Sequence, residues 1–156
     1  MTRPDFFLLE AVRHRRPLIH CISNLVSAND CANLALAVGA SPIMAQAPEE
    51  MEAVAAVSAA AVLNTGTPEE EKFRVCLLRG QAAQKLGQPV VLDPVGVGAS
   101  PWRLERVEEL LKNFTPSLLR VNPGEARALL HLEEPGAGGG RPHRSECRPA
   151  GRAGAP

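Results

Sequence analysis

The chain has 156 residues, with 17 Lys and Arg balanced by 17 Asp and Glu. That length holds one ordinary domain and not two, and the zero net charge leaves no electrostatic footprint for nucleic acid. Aromatic residues make up only 3% and tyrosine is absent, which removes the stacking surfaces that bind single-stranded bases.

Taken from the N-terminus, MTRPDFFLLEAVRHRRP sets Asp5 and Glu10 into a short apolar run, so it does not read as an export signal. PLIHCIS (17–23) is a continuous apolar stretch of strand type, and a helical pattern follows at about 29–38, with Asn29 as its expected cap. SPIMA (41–45) is the next strand. Residues 31–48 carry no charge but include Asn33, Gly39, Pro42 and Gln46, so they do not form a membrane span. The alternation continues with a helix at about 48–58, the strand AAVLNTG (60–66), a helix at 68–86 and the strand PVVLDP (89–94). The helix at 101–113 has clear start signals: Ser100 as cap, Pro101 at the first position, and an apolar stripe of Leu104, Val107, Leu110 and Leu111. SLLRVN (117–122) is the last strand, and Asn122 caps a helix at 123–131.

Alternating strands and helices predict an α/β fold with a mostly parallel sheet and flanking helices. The unbroken apolar runs predict strands buried on both faces. The predicted domain occupies 1–132. Gly, Pro, Arg and Ala make 18 of the 24 residues from 133 to 156, with no Val, Ile, Leu, Met or Phe among them. That composition cannot bury enough apolar surface to fold, so 133–156 reads as a disordered tail. The cysteines Cys21, Cys31, Cys76 and Cys147 form no Cys-x-x-Cys pair and read as reduced thiols of a cytoplasmic protein.

In parallel sheets ligands bind beyond the carboxyl ends of the strands. Those ends are Asn24; Met44; Asn64-Thr65-Gly66; Asp93 with Gly96 and Gly98; and Asn122 with Glu125. Five successive units therefore send polar or small residues to one edge, which predicts a site there. Asp93 ends a buried run and opens onto glycines, which suits a Mg²⁺ anchor or a base and equally suits a turn residue closing a strand. Glu125, three residues after Asn122, reads as a capping-box carboxylate or as a second carboxylate facing Asp93. Arg120, near the end of an apolar strand, needs either an anion or an internal salt bridge. Asn24 suits a small polar ligand, Met44 reads more readily as core, and so does the His20–Cys21 pair. No Walker or protein-kinase motif occurs.

HCISNLVSANDCANLALAVGASPIMAQAPEEM, AAVLNTGTPEE and PVVLDPVGVGAS, in that order and spacing, resemble the hydroxyethylthiazole kinase family of the ribokinase-like superfamily. The resemblance covers most of residues 15–132. It implies ATP-dependent phosphorylation of the hydroxyl of 4-methyl-5-(2-hydroxyethyl)thiazole in thiamine salvage, with Mg²⁺, in a homotrimer whose sites lie between subunits. By position it implies that Met44 and Asn24 bind the thiazole, that Arg120 contacts ATP, that Asp93 and Glu125 serve the metal and phosphate region, and that Gly66, Gly96 and Gly98 support them.

Two departures stand out. Arg120-Val121-Asn122-Pro123-Gly124-Glu125 replaces the family's Arg-Gly-Asn-x-x-Glu, and the Gly-Thr-Gly-Cys stretch that supplies the reactive cysteine is not found, so no catalytic residue is nominated. Cys147 has the wrong context for that role. The expectation is a kinase domain incomplete at its C-terminal side, with a tail like an out-of-frame or alternative coding end. Two other functional readings remain open: an inactive product that binds thiazole or joins full-length subunits, and a related small-alcohol kinase.

Overall fold

A computed structural model describes residues 6–132 of the chain. The expected tail, 133–156, lies outside the described residues. Among the described residues five strands form one parallel sheet: β1 (Leu18–Ile22), β2 (Ser41–Ile43), β3 (Ala60–Asn64), β4 (Val90–Asp93) and β5 (Leu118–Leu119). Their order across the sheet is β2-β1-β3-β4-β5, with every neighbouring pair parallel. The helices that follow them in turn are α2 (Ala28–Val38), α3 (Met51–Val57), α4 (Glu70–Leu86), α5 (Pro101–Asn113) and α6 (Pro123–Leu129). α1 (Phe6–Arg15) precedes them and was not expected from the sequence. It buries no residue fully, so it left no apolar stripe to read.

The local signals act as anticipated where chain chemistry alone decides. Pro101 opens α5, and the Ser100 hydroxyl accepts from the Arg103 N–H. Gly39 and Gly87 end α2 and α4 in the left-handed conformation. One cap moves: α2 begins at Ala28, so Ser27 holds the cap position and Asn29 lies inside the first turn.

Burial bears out the two-faced expectation in β1, where His20, Cys21 and Ile22 are buried in succession, and corrects it in β3. Along β3, Ala61 and Leu63 are fully buried while Ala60, Val62 and Asn64 are half-buried. Ala61 and Leu63 join Ile22, Val90 and Leu92 in one core with Phe73, Val75 and Cys76 of α4 and Val107 and Leu110 of α5. β3 is thus sealed on the side of α4 and α5, and less completely on the other among the described residues. β5 is corrected more strongly. Among the described residues it pairs only with β4, spans two residues, and leaves Leu118 58% exposed. Arg120 therefore follows an open edge strand and does not carry an uncompensated charge into the interior.

Behind the sheet lies a fully buried guanidinium. Arg79 of α4 donates from Nε to His20 Nδ1 at 3.0 Å and from one terminal nitrogen to Gln88 Oε1 at 2.9 Å. Because Nδ1 accepts, His20 is the neutral tautomer whose Nε2 donates to the Ala45 carbonyl at 2.9 Å. Gln88 in turn donates to the carbonyls of Ala55 and Ser58 at the end of α3. His20 and Cys21 are core residues, as expected.

Candidate functional site

The carboxyl ends of β1, β3 and β4 converge on one hydrogen-bonded relay. The register sets Asn64, last in β3, directly beside Asp93, last in β4. Asn64 Nδ2 donates to Asp93 Oδ2 at 2.8 Å, while Asn64 Oδ1 accepts from Asn24 Nδ2 at 3.1 Å and from the Gly66 N–H at 2.8 Å. The amide orientation follows from its partners, since a carboxylate only accepts. Asn24 uses its own oxygen to accept from the N–H groups of Val26 and Ser27, which folds the chain back toward α2.

Gly66 is required by closeness. A Cβ there would stand 2.9 Å from Asn64 Oδ1 and 3.0 Å from Asn24 Cβ, wedging the relay apart.

Asp93 is almost buried and its two oxygens differ. Oδ2 is shared by Asn64 and by Arg120, whose guanidinium donates at 3.0 Å. Oδ1 is buried and has no hydrogen-bond partner among the described residues. A buried acceptor left unmatched costs about 1–3 kcal/mol, and a charged one more. Of the two readings of Arg120, the internal salt bridge is the one present. The guanidinium side chain is 73% exposed, so that bond costs little to exchange for another anion.

Glu125 caps, as the blander reading held. Its Oε2 accepts from the Asn122 N–H and Asn122 Oδ1 accepts from the Glu125 N–H, both at 2.9 Å. The other oxygen, Oε1, accepts from the Gly96 N–H at 2.9 Å. Glu125 thus fastens the loop after β4 to the start of α6. Gly96 adopts φ 67°, which a residue with a side chain resists, and a Cβ on Gly98 would stand 3.0 Å from Ala128 Cβ of α6.

Met44 lies one residue beyond β2, half-buried at the same edge. Three strand spacings separate β2 from β4, about 14 Å, so the structure brings Asn24, Asp93, Arg120 and the glycine loops together and leaves Met44 at the far end of the row.

The same geometry tests Mg²⁺. Among the described residues no three His, Cys, Asp or Glu gather as a metal cage, and both oxygens of Glu125 are committed to backbone N–H groups. Of the two carboxylates at this edge, Asp93 is the one with an oxygen, Oδ1, that is buried without a hydrogen-bond partner among the described residues. A single carboxylate fits Mg²⁺ that arrives on phosphate oxygens and keeps several waters. It does not fit a metal held by protein alone.

Sequence reasoning passed over two residues. Asn64 was one of the strand-end residues but was not singled out, although its register with Asp93 makes it the hub. Lys72, in the first turn of α4, had no sequence signal because its partners are backbone carbonyls.

Comparison with known proteins follows the same lines. The family model described as the hydroxyethylthiazole kinase family matches residues 9–140. A hydroxyethylthiazole kinase of Alkaliphilus metalliredigens is 45% identical over 131 residues, covering 84% of this chain and 48% of that protein. One from Glaesserella parasuis is 49% identical over 130 residues, covering 83% and 48%. The solved hydroxyethylthiazole kinase of Pyrococcus horikoshii superimposes with a TM-score of 0.78 at 43% identity, over 81% of this chain and 49% of that one. The chain thus spans about half the length of the curated relatives it matches.

Proposed function

The chain belongs to the hydroxyethylthiazole kinase family, and we propose that it acts in ATP-dependent phosphorylation of the hydroxyl of 4-methyl-5-(2-hydroxyethyl)thiazole. The observation that carries this reading is the Asn24–Asn64–Asp93–Arg120 relay, with a buried carboxylate oxygen on Asp93 that has no partner among the described residues. Phosphoryl transfer asks little covalent chemistry of a protein and much positioning and charge stabilisation. In this proposal Asn24 and Met44 hold the alcohol. Arg120 leaves Asp93 for the triphosphate, exchanging one exposed ion pair for a stronger, charge-assisted contact. Asp93 keeps the Asn64 amide on Oδ2 and offers Oδ1 to the metal and phosphate region. Glu125 serves that region indirectly by fixing the Gly96–Gly98 loop. Bound through Asp93 and the phosphates, Mg²⁺ supplies neutralisation of phosphate charge.

The proposal includes assembly as a homotrimer, supported by the apolar side chains of Leu25, Val26, Leu34 and Leu36, all more than half exposed on α2 and the turn before it. It also includes a cytoplasmic location, supported by the free thiols of Cys21, Cys31 and Cys76. No helix among the described residues is long and apolar enough to cross a membrane.

The test is calorimetric titration of the purified chain with the thiazole alcohol, followed by a coupled assay of ADP release with ATP and Mg²⁺. We expect thiazole-dependent turnover that falls on the order of a hundredfold or more in Asp93→Asn. Thiazole binding without turnover supports instead a product that binds substrate and does not transfer phosphate. Absence of thiazole binding refutes the proposal.

A further inference from the structure

We propose that Lys72 is a positioning residue for the alcohol subsite, clamping the loop after β1 to the loop after β3 and so fixing where Asn24 and Gly66 stand. This deepens, and rests on, the reading of Asn24 as a ligand of the alcohol.

Lys72 lies in the first turn of α4, among Glu69, Glu70 and Glu71, where a lysine ordinarily pairs with a carboxylate in solvent. Among the described residues it makes no ion pair. Its Nζ donates to the Ser23 carbonyl at 2.9 Å, to the Gly66 carbonyl at 2.6 Å and to Thr67 Oγ1 at 3.3 Å. Ser23 is the residue before Asn24, and Gly66 is the residue whose N–H bonds the Asn64 hub. One ammonium therefore holds the backbone on both sides of the Asn24–Asn64 contact.

Thr67 completes the tie. Its hydroxyl donates to the Gly66 carbonyl at 2.7 Å and accepts from the Leu25 N–H at 3.2 Å. Thr67 holds φ 46°, an uncommon conformation for a threonine that the surrounding bonds must maintain.

An ammonium has three N–H donors, and all three have protein acceptors. Lys72 is thus not an anion site awaiting phosphate, although it lines a cleft at this edge with Ile22, Leu25, Thr67 and Val75. Partial burial also lowers its basicity from the ordinary lysine value, with the Cys76 and Glu69 charges acting the other way. The geometry predicts a split effect. The clamp touches the β1 and β3 loops that carry Asn24, and it does not touch Arg120 or the Gly96 loop.

The experiment compares the wild-type chain with Lys72→Met, which keeps the apolar stem and removes the donors. Calorimetry reads the affinities for 4-methyl-5-(2-hydroxyethyl)thiazole and for ATP with Mg²⁺ separately. Hydrogen exchange without ligand reads the amides of Leu25–Ser27 and Gly66–Thr67. We expect thiazole affinity to fall about tenfold, the scale of one charge-assisted hydrogen bond, ATP affinity to change less than twofold, and exchange to quicken at those amides alone. Equal losses for both ligands, or quickened exchange throughout the sheet, overturn the clamp and leave Lys72 a general stabiliser. Unchanged thiazole affinity in the variant also overturns it. If the wild-type chain binds no thiazole, the functional reading fails and takes the ligand role of Lys72 with it. The exchange pattern then still decides whether the clamp exists.

Discussion

Replacing Asn64 by aspartate tests the relay most sharply, because the change is nearly isosteric and reverses one hydrogen bond. Asn64 Nδ2 donates to Asp93 Oδ2 at 2.8 Å. In Asn64→Asp an oxygen takes the place of that nitrogen and faces a carboxylate. At an effective dielectric constant near ~20, two unit charges at that distance repel by about 6 kcal/mol. The new carboxyl has a less costly alternative, which is to take up a proton. With an ordinary aspartate value of about 3.9, holding that proton at pH 7 costs about 4 kcal/mol at 1.36 kcal/mol per unit. The smaller number governs, so the variant should be destabilised by about 3–4 kcal/mol at pH 7. Arg120 offsets little of this, because its guanidinium is largely exposed.

The sign follows from linkage. The new group has a folded-state pKa raised above its unfolded value, so the variant keeps its stability relative to wild type below about pH 4 and loses it as the pH rises through the raised value. Protonated, the carboxyl donates to Asp93 much as the amide did. Urea denaturation of both proteins at pH 4 and pH 7 should give a difference under about 1 kcal/mol at pH 4 and about 3–4 kcal/mol at pH 7. An equal difference at the two pH values, or none at pH 7, would refute the contact between Asn64 and Asp93.

Other expectations follow from groups behind the sheet. Burial, with Arg79 adding to it, pulls the His20 pKa below 6.5, though the bond to Ala45 acts the other way. Stability from neutral His20 is therefore full above the unfolded value near 6.5 and lost as the pH falls from there through the depressed folded value. His20→Gln should start with a lower Tm at pH 7 and lose less of it than wild type between pH 7 and pH 5, as scanning calorimetry would read. Cys76 is fully buried, and desolvation pushes its thiol up to about 12, with Lys72 opposing weakly. Iodoacetamide at pH 7.5 should therefore modify the exposed Cys31 and spare Cys76 until urea unfolds the chain, by peptide mass mapping. Rapid modification of Cys76 under native conditions would contradict its place in the core.

Much of the site was legible because chain periodicity reveals where a strand ends. Asp93, Asn24, Arg120 and Glu125 were reached as the polar residues that follow apolar runs, and the structure brings those four to one edge with the glycine loops. Their partners were less legible. Whether Glu125 caps or reaches beyond its own helix depends on where the Gly96 N–H lies, and the structure shows that it does both. Whether Arg120 meets an anion or a carboxylate depends on β4 and β5 being neighbours. Lys72 was invisible for a related reason: lysine beside three glutamates reads as a solvated charge run, and its carbonyl acceptors have no side-chain signature.

By itself, the amino-acid sequence determined the alternation of strands and helices, most of their caps and the family. These depend on hydrophobic period, on proline and glycine geometry, and on ordered motifs, all properties of contiguous residues. Strand order, register and the distribution of burial belonged to tertiary structure. The order β2-β1-β3-β4-β5 puts Asn64 beside Asp93 and leaves β5 on the edge, and it makes Arg120 a surface residue at the end of an apolar run. A single chain segment cannot encode which neighbour will cover its second face. That is why continuous apolar strands suggested burial on both sides, while β3, among the described residues, is sealed only on the side that α4 and α5 cover.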